Sequence, residues 1–436
     1  MAGKLGSVFG FEDADVDGGE EAIVLDSDTN DAVAEVVEDG DAISEASDEI
    51  EATSADTEVL EKIEAVIAEA EESGEGLTPD AAAIANVAVE AIRIRMGAKG
   101  GMRALAVENF GQKGNRLSST RLALEVIGEH IKKAWDAVLK FVEKVWNAVK
   151  EFFVKIFDAA ERLKASAKKM KKYLDDKLQE RERDAKVKEF DDASLAGKLA
   201  MDSTAVDADK VVKAISVVDG LVVEVTATTA TYTDALDKLV SKTGAFITKG
   251  EAHFTSSDIT DFQNARDSVL SIIKKQAKNM TLPGGSFIEA KMDGTKISIK
   301  VTGSKQVTNS KISIGTEAQL KGICDDVLAM AEKLTSMRKA NEAVAKSSKL
   351  IADVLKKAAS IDKGTIDGVV GPDQDISKWK EMSKEARKVI TNSSSCMQSL
   401  VQKFPTEAVK VGHAALKYVS KCVTVGYAHK FEKSDA

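Results

Sequence analysis

The feature that most constrains this chain is an apolar stripe that keeps a four-three step for more than four heptads: Ile131, Trp135, Val138, Val142, Val145, Val149, Phe152, Ile156, Ala159 and Leu163. Side chains at that spacing fall on one face of an α-helix, so the stretch must form a long helix with one continuous buried seam. Leu139, Trp146 and Phe153 make a second row beside the first. An apolar face that wide exceeds a two-stranded seam and predicts a helical bundle. Ser118 and Ser119 are candidate N-caps for the helix. Beyond Leu163 the apolar residues thin out and charge takes over, with 17 basic against ten acidic residues over 131–188.

Helical spacing recurs downstream. Ile215, Val218, Val222, Val225, Tyr232, Leu236 and Leu239 hold it, with Thr229 in the gap, although Asp219-Gly220 between β-branched residues offers a hairpin as the alternative. A helix at about 257–278 follows a cap at Ser256-Ser257-Asp258, with Phe262, Val269 and Ile272 inward. Leu320, Ile323, Val327, Met330, Leu334 and Met337 predict another, continuing to Ile361. Gly364 through Pro372 read as a loop, and helices at 376–402 and 406–424 finish the chain. Between them, SFIEAKMDGTKISIKVTGS alternates apolar and polar residues around Asp293-Gly294, which predicts a β-hairpin at 286–303. KISIG (311–315) is expected to add its third strand. The fold class is mainly α: long amphipathic helices in a bundle, with a small hairpin or sheet insertion near 286–315.

Charge divides the chain. Residues 1–108 hold 28 Asp and Glu against six Lys and Arg, a net of -22, whereas the total of -10 leaves +12 for 109–436. An acidic block repels itself, and a basic body is drawn to polyanions. Residues 1 to about 58 have too few apolar residues for a core and read as largely disordered. Val59, Ile63, Val66 and Ala70 then keep helical spacing, and Pro79-Asp80 can open a helix through about Met96. The five glycines of 97–119 mark an exposed junction where the charge changes sign. The expected organisation is an acidic, largely disordered segment at 1–108 with short helices, a basic heptad helix at 109–200, and a mostly helical region at 201–436.

Residues that carry chemistry are scarce. His130, His253, His413 and His429 lie far apart and outside metal-ligand spacings, and Cys324, Cys396 and Cys422 read as buried thiols in a reducing compartment. No phosphate-binding loop, dinucleotide fingerprint or nucleophile elbow occurs. The expectation is a non-enzyme without catalytic, cofactor-binding or metal-binding residues and without cofactors. The start of the chain lacks a signal-peptide layout, and no eighteen apolar residues run together. Lys164, Lys168, Lys169, Lys171 and Lys172 could contact DNA phosphates without reading bases. Trp135, Phe141, Trp146, Phe152, Phe153 and Phe157, interleaved with lysines, also allow an interfacial membrane helix, with core packing as the simpler reading.

From Ala106-Val107-Glu108, followed by NFGQKGNRLSSTRLALEVIGEHIKKAWDAVLKFVEKVW, the chain resembles the internal head proteins of giant tailed bacteriophages. The resemblance covers about residues 100–175 plus the overall layout. It implies an N-terminal propeptide that directs the protein into the prohead core, and a prohead protease that cuts after a glutamate preceded two positions earlier by a small or aliphatic residue. Several Ala-x-Glu sites exist, but Glu125 and Glu161 fall inside the heptad helix and Glu342 inside a later one. The resemblance therefore implies a main cut after Glu108, with Ala106 as specificity partner and Glu90 or Glu72 as secondary sites. Its implied partners are the protease, capsid or other prohead core proteins, and packaged DNA held electrostatically. The implied setting is the virion head interior, after assembly in the host cytoplasm. A membrane-interacting protein and a transient assembly scaffold stand as the alternatives.

Overall fold

The computed structural model describes residues 27–95, 116–178, 181–202, 204–249, 255–276, 278–293, 296–302, 309–338, 342 and 376–429. Long helices dominate them: α1 (Ser27–Glu72), α2 (Pro79–Arg95), α3 (Arg116–Lys177), α4 (Ala193–Leu199), α5 (Ala208–Lys249), α6 (Ser256–Gln276), α7 (Glu317–Ser336) and α8 (Ile376–Gly426). Short strands accompany them: β1 (Arg181–Arg183), β2 (Glu189–Asp191), β3 (Met280–Thr281), β4 (Phe287–Asp293), β5 (Lys296–Thr302), β6 (Lys311–Ser313) and β7 (Tyr427–His429). The mainly α bundle is as expected. The helix expected to run on to Ile361, the loop at 364–372, His253 and the junction at 97–115 lie outside the described residues, as do residues 1–26.

The heptad helix is α3, and its seam packs as its spacing requires. Ile131, Phe152, Phe153, Ile156, Ala159 and Leu163 are buried; the side chains at 134–146, Trp146 among them, and that of Val149 lie outside the described residues. The seam also runs further than the sequence spacing suggests, through Ala167, Met170, Leu174 and Leu178, all buried against partner helices. Charge on the remaining faces hides this continuation from a composition count. The helix begins at Arg116, so Ser118 and Ser119 stand in its first turn rather than at its cap. That turn is tied down by Thr120, whose hydroxyl donates to the Arg116 carbonyl (2.7 Å) and accepts the Leu77 N–H (2.9 Å).

The stripes of α5 and α7 resolve the same way. Ile215, Val218, Val222, Val225, Thr229, Tyr232, Leu236 and Leu239 are all buried in α5, and Asp219-Gly220 lie inside the helix instead of turning a hairpin. The Thr229 hydroxyl satisfies itself on the Val225 carbonyl (2.7 Å). Tyr232 shares its hydroxyl with Ser393 of α8 at 3.0 Å, which closes a polar pair inside the seam between the two helices. In α6 the cap is Thr255, one residue before the expected serines: its hydroxyl accepts the Asp258 N–H while Asp258 accepts the Thr255 N–H.

Two expectations are corrected. The helices expected at 376–402 and 406–424 are one helix, α8, with Pro405 inside it. Residues on both sides of Pro405, among them Leu400, Val401, Phe404, Ala408 and Val409, are buried, and that packing outweighs the local cost of the missing N–H. The hairpin is present as β4 and β5, but its third strand is β3, paired with β4. Strand β6 pairs instead with β2, seated by the Tyr418 hydroxyl on the Ser313 carbonyl (3.0 Å). Another small sheet joins β1 to β7 at the end of α8.

The largest departure is the acidic segment. Residues 27–72, read as largely disordered to about 58, form the 46-residue helix α1, which lies along α3 and α8. Ala32, Val33, Val36, Leu60 and Ile67 are buried there, while Val59 and Val66, expected to share the apolar stripe, are exposed. Ile63 and Ala70 pack partly buried against the core as expected, and Leu60 and Ile67 take the inward places expected of Val59 and Val66. Helix α2 begins at Pro79 as expected, with the Thr78 hydroxyl accepting the Ala81 N–H at 3.3 Å.

Candidate functional site

Helix α1 carries 17 acidic residues and one lysine. Beside the buried Ala32, Val33, Val36, Leu60 and Ile67, its seat is lined by cations. On α3, Lys155 meets Asp39 at 2.7 Å, Arg162 lies 3.6 Å from Asp28, and Arg121 meets Glu71 at 2.7 Å. On α8, Lys384, Arg387 and Lys388 face Glu64, Glu61 and Glu58 at 3.8, 3.5 and 3.0 Å. Residue numbers rise along α1 as they fall along both partners, so α1 runs antiparallel to α3 and to α8. At 1.5 Å per residue the acids from Asp28 to Glu71 span roughly 65 Å. The cations they meet therefore form a linear track.

The pairs differ in quality. The Arg387 side chain is 2% exposed and Glu61 15%, so this ion pair sits at the floor of the seat. Lys155, Lys384 and Lys388 are 36–40% exposed, at its rim. The hydrogen bond to Asp39, with Glu35 and Glu38 nearby, holds the Lys155 ammonium above its ordinary pKa. Rim pairs of this kind contribute about 0.2–1 kcal/mol each and are screened by salt. Near the other end of α1, Asn30 Oδ1 stands 2.7 Å from His413 Nε2 of α8, and Thr29 and Ser166 hydroxyls are 3.2 Å apart. His413 is buried, and burial, with Lys417 and Lys198 nearby, pushes its pKa down to about 3.

The residues singled out from sequence fall in different places. Ala106 and Glu108 lie outside the described residues. Glu72 is exposed as the last residue of α1, ahead of the left-handed Gly74 (φ 75°). Glu90 is half-buried within α2. Of the five lysines, Lys171 is paired with Asp325 of α7 (2.5 Å) and Lys164 with Glu161 (3.8 Å), whereas Lys168, Lys169 and Lys172 are exposed. Of the aromatic residues that allowed a membrane helix, Phe152 and Phe153 are in the core and Phe157 is partly buried against it.

Sequence reasoning misses Lys155, Arg162, Lys384, Arg387 and Lys388. A signal for the α8 group does exist: Glu58, Glu61 and Glu64 form an acidic ridge at three-residue steps, and Lys384, Arg387 and Lys388 form a basic ridge one turn long. Set antiparallel, the two ridges match. The cysteines are buried thiols, with burial pushing Cys324 and Cys396 up to about 12.

Among the described residues no group of three or more His, Cys, Asp or Glu side chains is placed to hold a metal ion, and no helix is long and apolar enough to cross a membrane. A family model for phiKZ-like phage internal head proteins matches residues 28–421, from the first turn of α1 to near the end of α8. The chain is thus a structural protein of the bacteriophage head interior. It belongs to the family of phiKZ-like phage internal head proteins. No curated protein and no solved structure matches it.

Proposed function

We propose that this internal head protein enters the prohead with its acidic segment in place, loses residues 1–108 to the prohead protease after Glu108, and remains as a basic body beside the packaged genome. The observation that carries this reading is the seat of α1. A helix of net charge -16 from its sequence lies on cations of a body whose net charge is +12. While it stays there, the body presents acid to its surroundings and non-specific attraction to nucleic acid is weakened.

Once the segment leaves, the body is net cationic in a compartment filled with DNA. Association then needs no base contacts, only phosphate neutralisation by Lys and Arg. Within the removable segment, α2 exposes Ile84, Val87 and Ile94 at 71%, 69% and 68%, an apolar row that supports contact with capsid or other core proteins during assembly. A protein held to DNA in this way can leave the head with it.

The test is binding of duplex DNA by the protein recovered from mature particles, measured across a salt series. Micromolar affinity at about 50 mM salt, falling steeply as salt rises, is the expected outcome. Absence of binding at the lowest salt contradicts the association with DNA.

A further inference from the structure

We infer that the DNA-binding surface of this protein is the seat of α1 itself: the linear cation track of Arg121, Lys155, Arg162, Lys384, Arg387 and Lys388, which the acidic helix occupies in place of a phosphate backbone. The inference rests on the reading of the body as DNA-associated and assigns the face responsible. It differs from the lysine run at 164–172 that the sequence suggests.

Three observations carry it. The track is linear, like its occupant, and pairs with carboxylates over two stretches of α1, at Asp28 and Asp39 and from Glu58 to Glu71. It sets one arginine at the floor and lysines at the rim, so the floor residue is closed to any outside polyanion until α1 moves. The hold on α1 is also shared between apolar contact and charge: Val33, Val36, Leu60 and Ile67 are buried among its described side chains, and the ion pairs lie beside them.

Charge is the part of this hold that a polyanion competes for. Cutting the chain in the junction after α2 breaks one peptide bond and none of these pairs, so cleavage alone leaves α1 seated. It converts an intramolecular helix, with its high effective concentration, into a separate ligand that DNA can displace. Release thus couples to genome entry as well as to proteolysis.

The experiment uses the full-length chain and a 30-base-pair duplex. Neutralising the acids that hold the track (Asp28→Asn, Asp39→Asn, Glu58→Gln, Glu61→Gln, Glu64→Gln) is expected to raise affinity at least tenfold at about 100 mM salt. The log–log salt slope should steepen by about 3, as Lys155, Lys384 and Lys388 become available, while Arg162 keeps its pair with Asp158 at 2.9 Å. Neutralising three other acids of α1 (Asp31, Glu69, Glu72, each to its amide) is expected to change affinity less than threefold. Adding Lys155→Gln, Lys384→Gln and Lys388→Gln to the first variant should abolish the gain, and adding Lys168→Gln, Lys169→Gln and Lys172→Gln should leave it. Equal gains from both acid sets, or a gain that survives loss of the track lysines, overturn the assignment.

A second variant guards against misfolding of the charge variant. Thr29→Cys with Ser166→Cys in the first variant, oxidised to pin α1 to α3, should lose the gain and recover it on reduction. A gain unchanged by oxidation overturns the proposal. If protein from mature particles also fails to bind, the association with DNA fails instead; if that protein binds while the variants behave as the overturning case, the face alone is wrong.

Discussion

Arg387 of α8, with a side chain 2% exposed, reaches Glu61 of α1 at 3.5 Å, and this pair joins the floor of the bundle to the acidic segment. The two residues are 326 positions apart. A buried guanidinium without a carboxylate nearby is costly, and Glu61 offsets part of that cost for Arg387.

Removing that carboxylate should loosen α1 without unfolding the bundle. Glu61→Ala is expected to destabilise the docked helix by about 1–3 kcal/mol, less than a fully isolated buried pair because Glu61 retains some solvent access. Amide hydrogen exchange checks this: residues 27–72 should exchange ten-fold or more faster while 406–426 remain unchanged. Lys388→Gln, at the rim, should cost under about 1 kcal/mol.

The secondary processing sites should not be equivalent. Glu72 is exposed at a helix end beside a glycine turn, whereas Glu90 is half-buried inside α2 and needs that helix to open before a protease can accept it. Timed digestion of the folded protein with a glutamate-specific protease, read by mass spectrometry, should show cutting after Glu72 well before cutting after Glu90. Equal rates contradict this.

Docking should also respond to pH through His413. Its folded-state pKa is pushed down to about 3 by burial, with Lys417 and Lys198 adding to the effect. A depressed histidine contributes stability fully above its unfolded value of about 6.5, and that stability is lost as pH falls from there toward the folded value. The protein should lose about 2 kcal/mol between pH 7.5 and pH 5 from this group. His413→Gln should flatten that part of the denaturation profile; an unchanged slope sinks the assignment.

Gly284 should resist substitution. Its φ is +80°, and a Cβ there would stand 2.8 Å from the Gly197 carbonyl oxygen. Its N–H also donates to the Ala200 carbonyl (2.8 Å), so the turn and α4 are locked together. Gly284→Ala should cost about 1–3 kcal/mol, seen as a lower midpoint in chemical denaturation.

How legible the molecule is depends on how local its causes are. The seams of α3, α5 and α7 can be read because burial on a long helix repeats every three or four residues, whatever the partner. Helix α1 cannot, because its acids look like self-repulsion until the cations of α3 and α8, far away in sequence, are set against them. Strand β6 is visible from its alternation, but alternation does not name a partner, and it pairs with β2 rather than the hairpin. Pro405 reads as a helix end from local rules, and only the packing on both sides of it keeps α8 whole. Lys171 looks available for phosphate because Asp325 is 154 residues away.

Removal of the acidic segment is tested most directly by the N-terminal residue of this protein recovered from mature particles. The expected result is Asn109, with peptides from 27–95 absent. Recovery of the chain with residues 1–108 intact contradicts it.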